Sequence, residues 1–187
     1  ININIFFNKK KKKYNICILN YGSGNITSIY NAIKFLGYPC KVSNIKSDIK
    51  NSTHLILPGV GSYSNAMNKI QKNLPNEIIQ NEVLNKKKPF LGICVGMQIL
   101  SDFGYEFTKT KGLGWIAGEV KKINLKKYRL PHIGWNKIVL EKKIPIMKDL
   151  NENYFYFVHS YEFKPKYKKN IISYSQYEKK FFSIVSF

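Results

Sequence analysis

Arginine is almost absent. Of 31 basic side chains only Arg129 is an arginine, and the rest are lysines. The guanidinium fork reads guanine edges and grips phosphate through paired bonds, so a dedicated nucleic-acid reader leans on it. Lysine is instead scattered along the chain among Asn, Ile, Tyr and Phe. The net charge of +20 therefore reads as a compositional bias that leaves a solvated basic surface, not as a nucleic-acid site. Cysteine is also scarce. Cys17, Cys40 and Cys94 stand far apart with no CxxC or Cys/His cluster, which excludes a disulfide framework and a zinc site and suits a reducing, cytoplasmic setting. No run is long and apolar enough to cross a bilayer. The chain opens on Ile1, and its first seven residues precede the lysine run at 9–13. A signal peptide has the opposite order, so residues 1–13 are expected to form a disordered basic tail. The whole chain is 44% hydrophobic, and residues 14–187 are long enough for one domain with a core of its own.

Short apolar runs alternate with helical periodicity through the first half. Residues 15–20 predict a buried strand that ends in a tight turn at Tyr21-Gly22-Ser23-Gly24. Asn25 is placed to cap a helix with apolar positions Ile26, Ile29, Ile33 and Leu36, stopped by Gly37. Further strands are expected at 41–43, 54–57 and 89–93, and helices at 63–72, 75–85 and 95–101. Alternation of this kind implies a parallel sheet with helices on both faces. After Phe107 the stretches 115–123, 131–140, 154–163 and 171–187 are rich in β-branched and aromatic residues, and predict strands and loops.

One motif points to chemistry. Gly92-Ile93-Cys94-Val95-Gly96-Met97-Gln98 follows an apolar strand and opens a helix. This is the logic of a nucleophile elbow, with Cys where a Ser could stand. A nucleophile on so sharp a turn needs small neighbours, and a helix start is expected to lower its thiol pKa and offer N–H donors to an oxyanion. The same spacing also suits an inert Cys packed between two turn glycines. Pro58-Gly59-Val60-Gly61 ends a strand expected beside the Cys94 strand, so both tips should share the carboxyl edge of the sheet. Val60 N–H and Val95 N–H are then the candidate oxyanion donors. Taken alone, the tetrapeptide is an ordinary strand-end turn.

Together these motifs resemble class I glutamine amidotransferases, and within them the branch of glutaminase subunits of imidazole glycerol phosphate synthase. The resemblance runs from about Tyr14 to Phe187. It is carried by Asn20-Tyr21-Gly22-Ser23-Gly24-Asn25 with Ser28, by the two motifs above, and by Lys111-Gly112-Leu113-Gly114-Trp115. Leu130-Pro131-His132-Ile133-Gly134-Trp135-Asn136 and Tyr156-Phe157-Val158-His159-Ser160-Tyr161 are its most specific blocks. The resemblance implies an α/β fold with a mostly parallel central sheet flanked by helices and a β-rich C-terminal half. It implies that Cys94 attacks the glutamine amide to form a glutamyl thioester. Gly59, Gly61, Gln98, Glu106, Ser160 and Tyr161 fall where the family holds glutamine, although Glu106 also reads as a surface acid near a helix end, and Ser160 and Tyr161 as ordinary strand residues. The released ammonia would pass to a (β/α)8-barrel cyclase subunit in a heterodimer, for a step of histidine biosynthesis. No cofactor or metal is implied.

One part of the family pattern is missing. The resemblance implies a base and its orienting acid in a His-Pro-Glu motif, and these 187 residues contain no such tripeptide. Their histidines are His54, expected to be structural, His132, in a block that faces the synthase partner in the family, and His159, beside the glutamine pocket. The tail around 177–185 looks like the family's penultimate hairpin, or, in another register, like the strand before the motif. The expectation is a glutamine amidotransferase domain, 14–187, incomplete at its C-terminus. Such a polypeptide should turn glutamine over negligibly, because the thioester has no base to activate water. The competing readings are a non-catalytic subunit that retains only partner binding, an amidotransferase serving another synthase, and a nucleic-acid-binding protein.

Overall fold

The four apolar runs of the first half become the parallel strands β1 (Ile16–Leu19), β2 (Cys40–Ser43), β3 (His54–Leu57) and β4 (Phe90–Gly92). In this computed structural model, which describes residues 14–148 and 153–187, they form one sheet in the order β2-β1-β3-β4. The basic tail expected at 1–13 lies outside the described residues. The described residues form two compact units, which divide between Met97 and Gln98.

The first unit joins its strands through α1 (Ile26–Phe35), α2 (Lys46–Asn51), α3 (Tyr63–Asn73) and α4 (Asn76–Gln80). Parallel pairing needs such crossovers, because a hairpin cannot return a strand in the same direction. Cys17, Ile18, Leu19, Leu55, Ile56 and Leu57 are all buried, as expected for strands covered on both faces. Ile18, Ile33 and Ile56 form one core cluster, with Ile26, Ile29, Tyr30 and Val42 packed against it. On α3 the buried residues are Tyr63, Ala66, Met67 and Ile70. That spacing draws a single apolar stripe along the helix.

Local details depart from expectation. Asn25 does begin α1, but its side chain makes no cap bond to the backbone; its Oδ1 accepts the Ser28 hydroxyl at 2.8 Å instead. Leu36 is exposed. The helix expected at 75–85 changes to a π-helical turn over Asn81–Asn85. There Glu82 is buried and paired with Lys86 at 2.7 Å and Lys88 at 2.9 Å. Lys88 also donates to the carbonyls of Ile49 and Lys50, which ties this turn to the end of α2. The helix opening at Val95, α5, ends at Gln98 and does not reach Ser101.

The second unit contains two antiparallel-rich sheets. Strands β5 (Phe103–Gly104), β6 (Thr110–Lys111), β7 (Gly118–Lys122), β8 (His132–Leu140), β9 (Tyr154–His159), β10 (Tyr161–Pro165), β11 (Ile171–Tyr177) and β12 (Lys179–Val185) order as β10-β7-β5-β6 and β12-β11-β8-β9. The stretch 154–163 is two strands rather than one, because the chain turns at Ser160 and leaves one sheet for the other. Inward-facing Ile138, Phe163, Ile172 and Phe181 are buried. The outward positions of β8 and β9 are not.

Candidate active site

In the first unit, the loops after β1, β3 and β4 all leave the carboxyl edge of the sheet. Strands β3 and β4 are neighbours, with Leu57 opposite Gly92, so the Pro58–Gly61 turn and the Cys94 turn meet. Cys94 is solvent-accessible and has φ +55°, a left-handed conformation uncommon for a residue with a side chain. Three glycines allow it. A Cβ on Gly59 would collide with the Gly96 amide, one on Gly96 would collide with the Leu57 carbonyl, and one on Gly92 would lie 2.6 Å from the Gly96 oxygen. The two turns thus interlock backbone against backbone. Ile93 N–H donates to Leu57 O at 3.0 Å, Gly96 N–H to Ile93 O at 2.9 Å, and Met97 N–H to Cys94 O at 2.9 Å. An inert cysteine between turn glycines would require none of this strain.

Burial holds the Cys94 thiol above its ordinary range, and the Val95 N–H that bonds it acts in the opposite direction. The expectation that a helix start lowers this thiol pKa is therefore not met. Helix α5 is four residues long, too short to build a useful dipole. Of the two candidate oxyanion donors, Val95 N–H lies at the sulfur. Val60 is exposed at the tip of its turn, and Gly61 beside it has φ +87°.

Tyr21 was legible only as part of a motif, with no role attached. It is fully buried, and its hydroxyl makes no hydrogen bond of regular geometry, although the Ser23 side chain and the Val60 backbone lie close enough to act on it as hydrogen-bonding neighbours. Ser23, the Val60 backbone and Cys94 are the groups that act on it, and burial raises its phenol pKa. The turn around it is anchored by Asn73 Nδ2, which donates to Tyr21 O at 2.9 Å, and by close packing of Gly24 on Pro58. A buried hydroxyl without a regular hydrogen bond leaves no trace in an amino-acid sequence.

The second unit brings together three of the expected glutamine-binding residues. Gln98 is buried and its Nε2 donates to Tyr161 O at 3.1 Å. Ser160 sits at the corner between β9 and β10, where its carbonyl accepts Ile123 N–H at 2.9 Å. Glu106 lies in the β5–β6 connection beside Phe107, which has φ +62°, and not at a helix end, because the helix from Val95 stops at Gln98.

The description "Glutamine amidotransferase class-I" matches residues 17–186. The chain belongs to this family. The amidotransferase is 44% identical over 168 residues to the imidazole glycerol phosphate synthase subunit HisH of Pelagibacter ubique, covering 85% of this chain and 79% of that one. It is 38% identical to the corresponding subunit of Leptospira borgpetersenii, covering 87% and 81%. Among solved structures, one described as a glutamine amidotransferase aligns with TM-score 0.65 at 16% identity, covering 84% of this chain and 78% of that one. The PurLQS assembly of Thermotoga maritima aligns at 0.62 and 14%, covering 92% and 76%. These two show the fold alone, and they bear out an α/β class with a β-rich second half.

Among the amidotransferase's histidines, His132 turns inward from its block. It belongs to the block that the resemblance turns toward the synthase partner, and its own side chain is 1% exposed; it is Ile133 and Trp135 that face solvent, as strand alternation requires. His159 lies directly opposite it across β8 and β9. His54 bonds Thr53 Oγ1 at 3.0 Å and packs on the Tyr14 ring, which agrees with a structural role. Among the described residues no group of His, Cys, Asp or Glu could hold a metal ion, and no helix is long and apolar enough to cross a membrane.

Proposed function

We propose that the chain is a glutaminase subunit that hydrolyses glutamine through Cys94 and passes ammonia to a cyclase subunit that makes imidazole glycerol phosphate. The observation that carries this reading is the interlocked turn pair, which holds Cys94 accessible at φ +55° against the Val95 N–H. The Cys94 sulfur attacks the amide carbon of glutamine. Val60 N–H and Val95 N–H serve the tetrahedral oxygen. The C–N bond then breaks, ammonia leaves with the thiol's proton, and a glutamyl thioester remains. Gly59, Gly61, Gln98, Glu106, Ser160 and Tyr161 hold the substrate in this reading. Water must then cleave the thioester with the help of a base. The 187 residues contain no His-Pro-Glu, so the polypeptide of these residues should acylate but not turn over.

The β8–β9 face supports the partner assignment. Ile133, Trp135, Tyr154, Tyr156 and Val158 are each more than half exposed on one side of this strand pair, and Trp135 packs against Tyr156 at 5.6 Å. A contiguous apolar patch rich in Trp and Tyr suits a protein interface, and we assign it to the (β/α)8-barrel cyclase.

The test is a diazoketone analogue of glutamine, an electrophile that captures the nucleophile without needing water activation. Mass spectrometry should find one label, on Cys94, protected by glutamine and absent from Cys94→Ser. Labelling that ignores glutamine, or that falls equally on Cys40, would overturn the reading. If Cys94 stays unlabelled while a cyclase still binds and Trp135→Ala weakens that binding, the chain is the non-catalytic partner subunit instead.

A further inference from the structure

His132 and His159 are opposed across β8 and β9, and their hydrogen bonds can be followed atom by atom. Asn136 Nδ2 donates to Gln176 O at 2.6 Å, so Asn136 presents its oxygen to His132 Nε2 at 2.9 Å. A carbonyl-type oxygen only accepts, so His132 Nε2 carries a proton. At the other end His159 Nδ1 lies 3.0 Å from Tyr161 O, and by the same rule it carries a proton. The remaining nitrogens, His132 Nδ1 and His159 Nε2, face each other at 3.0 Å. A neutral imidazole has one N–H, and both are already committed. Two neutral rings would therefore set lone pair against lone pair. One further proton between the rings satisfies every contact and gives the pair a single positive charge.

The surroundings suit such a charge. His132 stacks on the rings of Tyr177 at 4.1 Å and Phe157 at 5.5 Å, and Phe181 meets both histidines. Aromatic faces favour a cation placed over them. The titratable group facing His132 from β11 is Tyr177, whose hydroxyl donates to Arg129 O at 2.9 Å. From β9 and β12 come Phe157 and Phe181, and from β10 the Tyr161 carbonyl. Glu162, next along β10, is paired with Lys164 at 3.1 Å, and the charge acting on His159 is that of His132. The far end of the chain matters for chemistry, because the Tyr161 carbonyl that His159 bonds also accepts Gln98 Nε2.

We propose that His132 and His159 are a proton-sharing positioning pair, which fixes the Tyr161 carbonyl and the Gln98 amide only when the two rings hold three protons between them. With two protons, one link of the chain Asn136–His132–His159–Tyr161 has no donor and must open. Burial pushes His159 below the ordinary histidine range, so the third proton is gained on the acid side of neutrality, where the chain closes. The assignment of Gln98 and Tyr161 to glutamine rests on the reading above; the proton count does not.

The experiment is an imidazole 15N titration of the full chain across mildly acid to mildly alkaline pH, with the Gln98 side-chain amide and the Tyr161 carbonyl 13C followed in the same samples. The expected result is one shared protonation step seen at both rings, with Gln98 and Tyr161 signals moving at the same midpoint. In His132→Asn, His159 should titrate alone and the Gln98 response should vanish. Two rings with separate midpoints in the native chain, or a shared step that leaves Gln98 and Tyr161 unmoved, would overturn the proposal. The native titration decides even if the variant does not fold. Failure of diazoketone labelling at Cys94 would sink the glutamine reading while leaving this result standing.

Discussion

The two units solve the placement of polar atoms differently. Up to Met97 the strands are three or four residues long and the strand ends are fitted together by glycines, with Gly59, Gly92 and Gly96 letting main chain touch main chain. From Gln98 onward the strands reach nine residues, and side chains such as His132, Asn136, His159 and Gln98 form the polar links. A backbone-built site tolerates almost no added atom at its glycines. A side-chain-built network tolerates volume better but depends on where its protons are. The variants below separate these two modes.

The largest effect should come from Gly96→Ala. Its Cβ would collide with Leu57 O, a backbone atom held by the Ile93 N–H bond, and neither partner is a side chain that can swing away. A loss of about 3 kcal/mol or more is expected, at the upper end of overpacking costs, together with loss of Cys94 labelling. Gly61→Ala is the control. Nothing lies near its Cβ, but φ is +87°, so only backbone strain of about 1–2 kcal/mol applies. Equal losses in denaturant melts would mean that the interlock of the two turns is not what the glycines serve.

Two buried glutamates, one in each unit, should respond to acid in opposite directions. Lys86 and Lys88 hold the Glu82 carboxyl below its ordinary range. The unfolded chain then takes up its proton first as pH falls. The contribution of Glu82 is whole above the unfolded value of about 4.3 and is lost as pH falls through the folded pKa. Removing one member of a buried pair costs about 3 kcal/mol, so Glu82→Ala should be much less stable at pH 7 and should show a flatter acid limb. Burial instead raises Glu162, and its bond to Lys164 only partly offsets this. Here the folded state binds the proton first, so this term favours folding below the unfolded value and fades as pH rises through the folded pKa. Glu162→Gln should therefore be more stable than the native chain at pH 7, and the gain should shrink in acid. A gain that persists unchanged at pH 4 would show that burial is not the source of the shift.

How much could be read from the sequence follows the same division. The first unit was legible because its signals are local: an apolar run gives a strand, a Gly-rich tetrapeptide gives its end, and β1, β3 and β4 emerged within a residue or two of expectation. The motifs of the second unit that the resemblance ties to glutamine were legible by that resemblance alone. No local signal says that Ser160 is a corner between two sheets, that His132 turns inward while its neighbours turn out, or that Glu106 follows a strand instead of a helix. Those depend on cross-strand register, which joins residues far apart in the chain. The thiol pKa was misjudged for a related reason. The sequence promised a helix after Cys94 but could not say that it would be four residues long, so burial outweighs a dipole that barely exists.

The smallest effect expected, and the one that bears most directly on the backbone-built unit, is that of Tyr21→Phe. The phenol ring fills a fully buried position, so phenylalanine keeps the packing. The hydroxyl makes no hydrogen bond of regular geometry, with only Ser23 and the Val60 backbone beside it, and a buried polar group without a good partner costs roughly 1–3 kcal/mol relative to leaving it in water. Its removal should therefore leave the melting temperature unchanged or raise it by a few degrees, the shift that about 1 kcal/mol gives in a chain of this size. A glycine-fitted site would then be carrying one polar atom that its fold does not need. If Tyr21→Phe melts lower than the native chain, the hydroxyl is bonded in solution, and Ser23 or the Val60 amide, the groups beside it, must be its partner; the Pro58–Gly61 turn would then be held by a side chain after all, and the contrast between the two units would weaken at the point where it matters most.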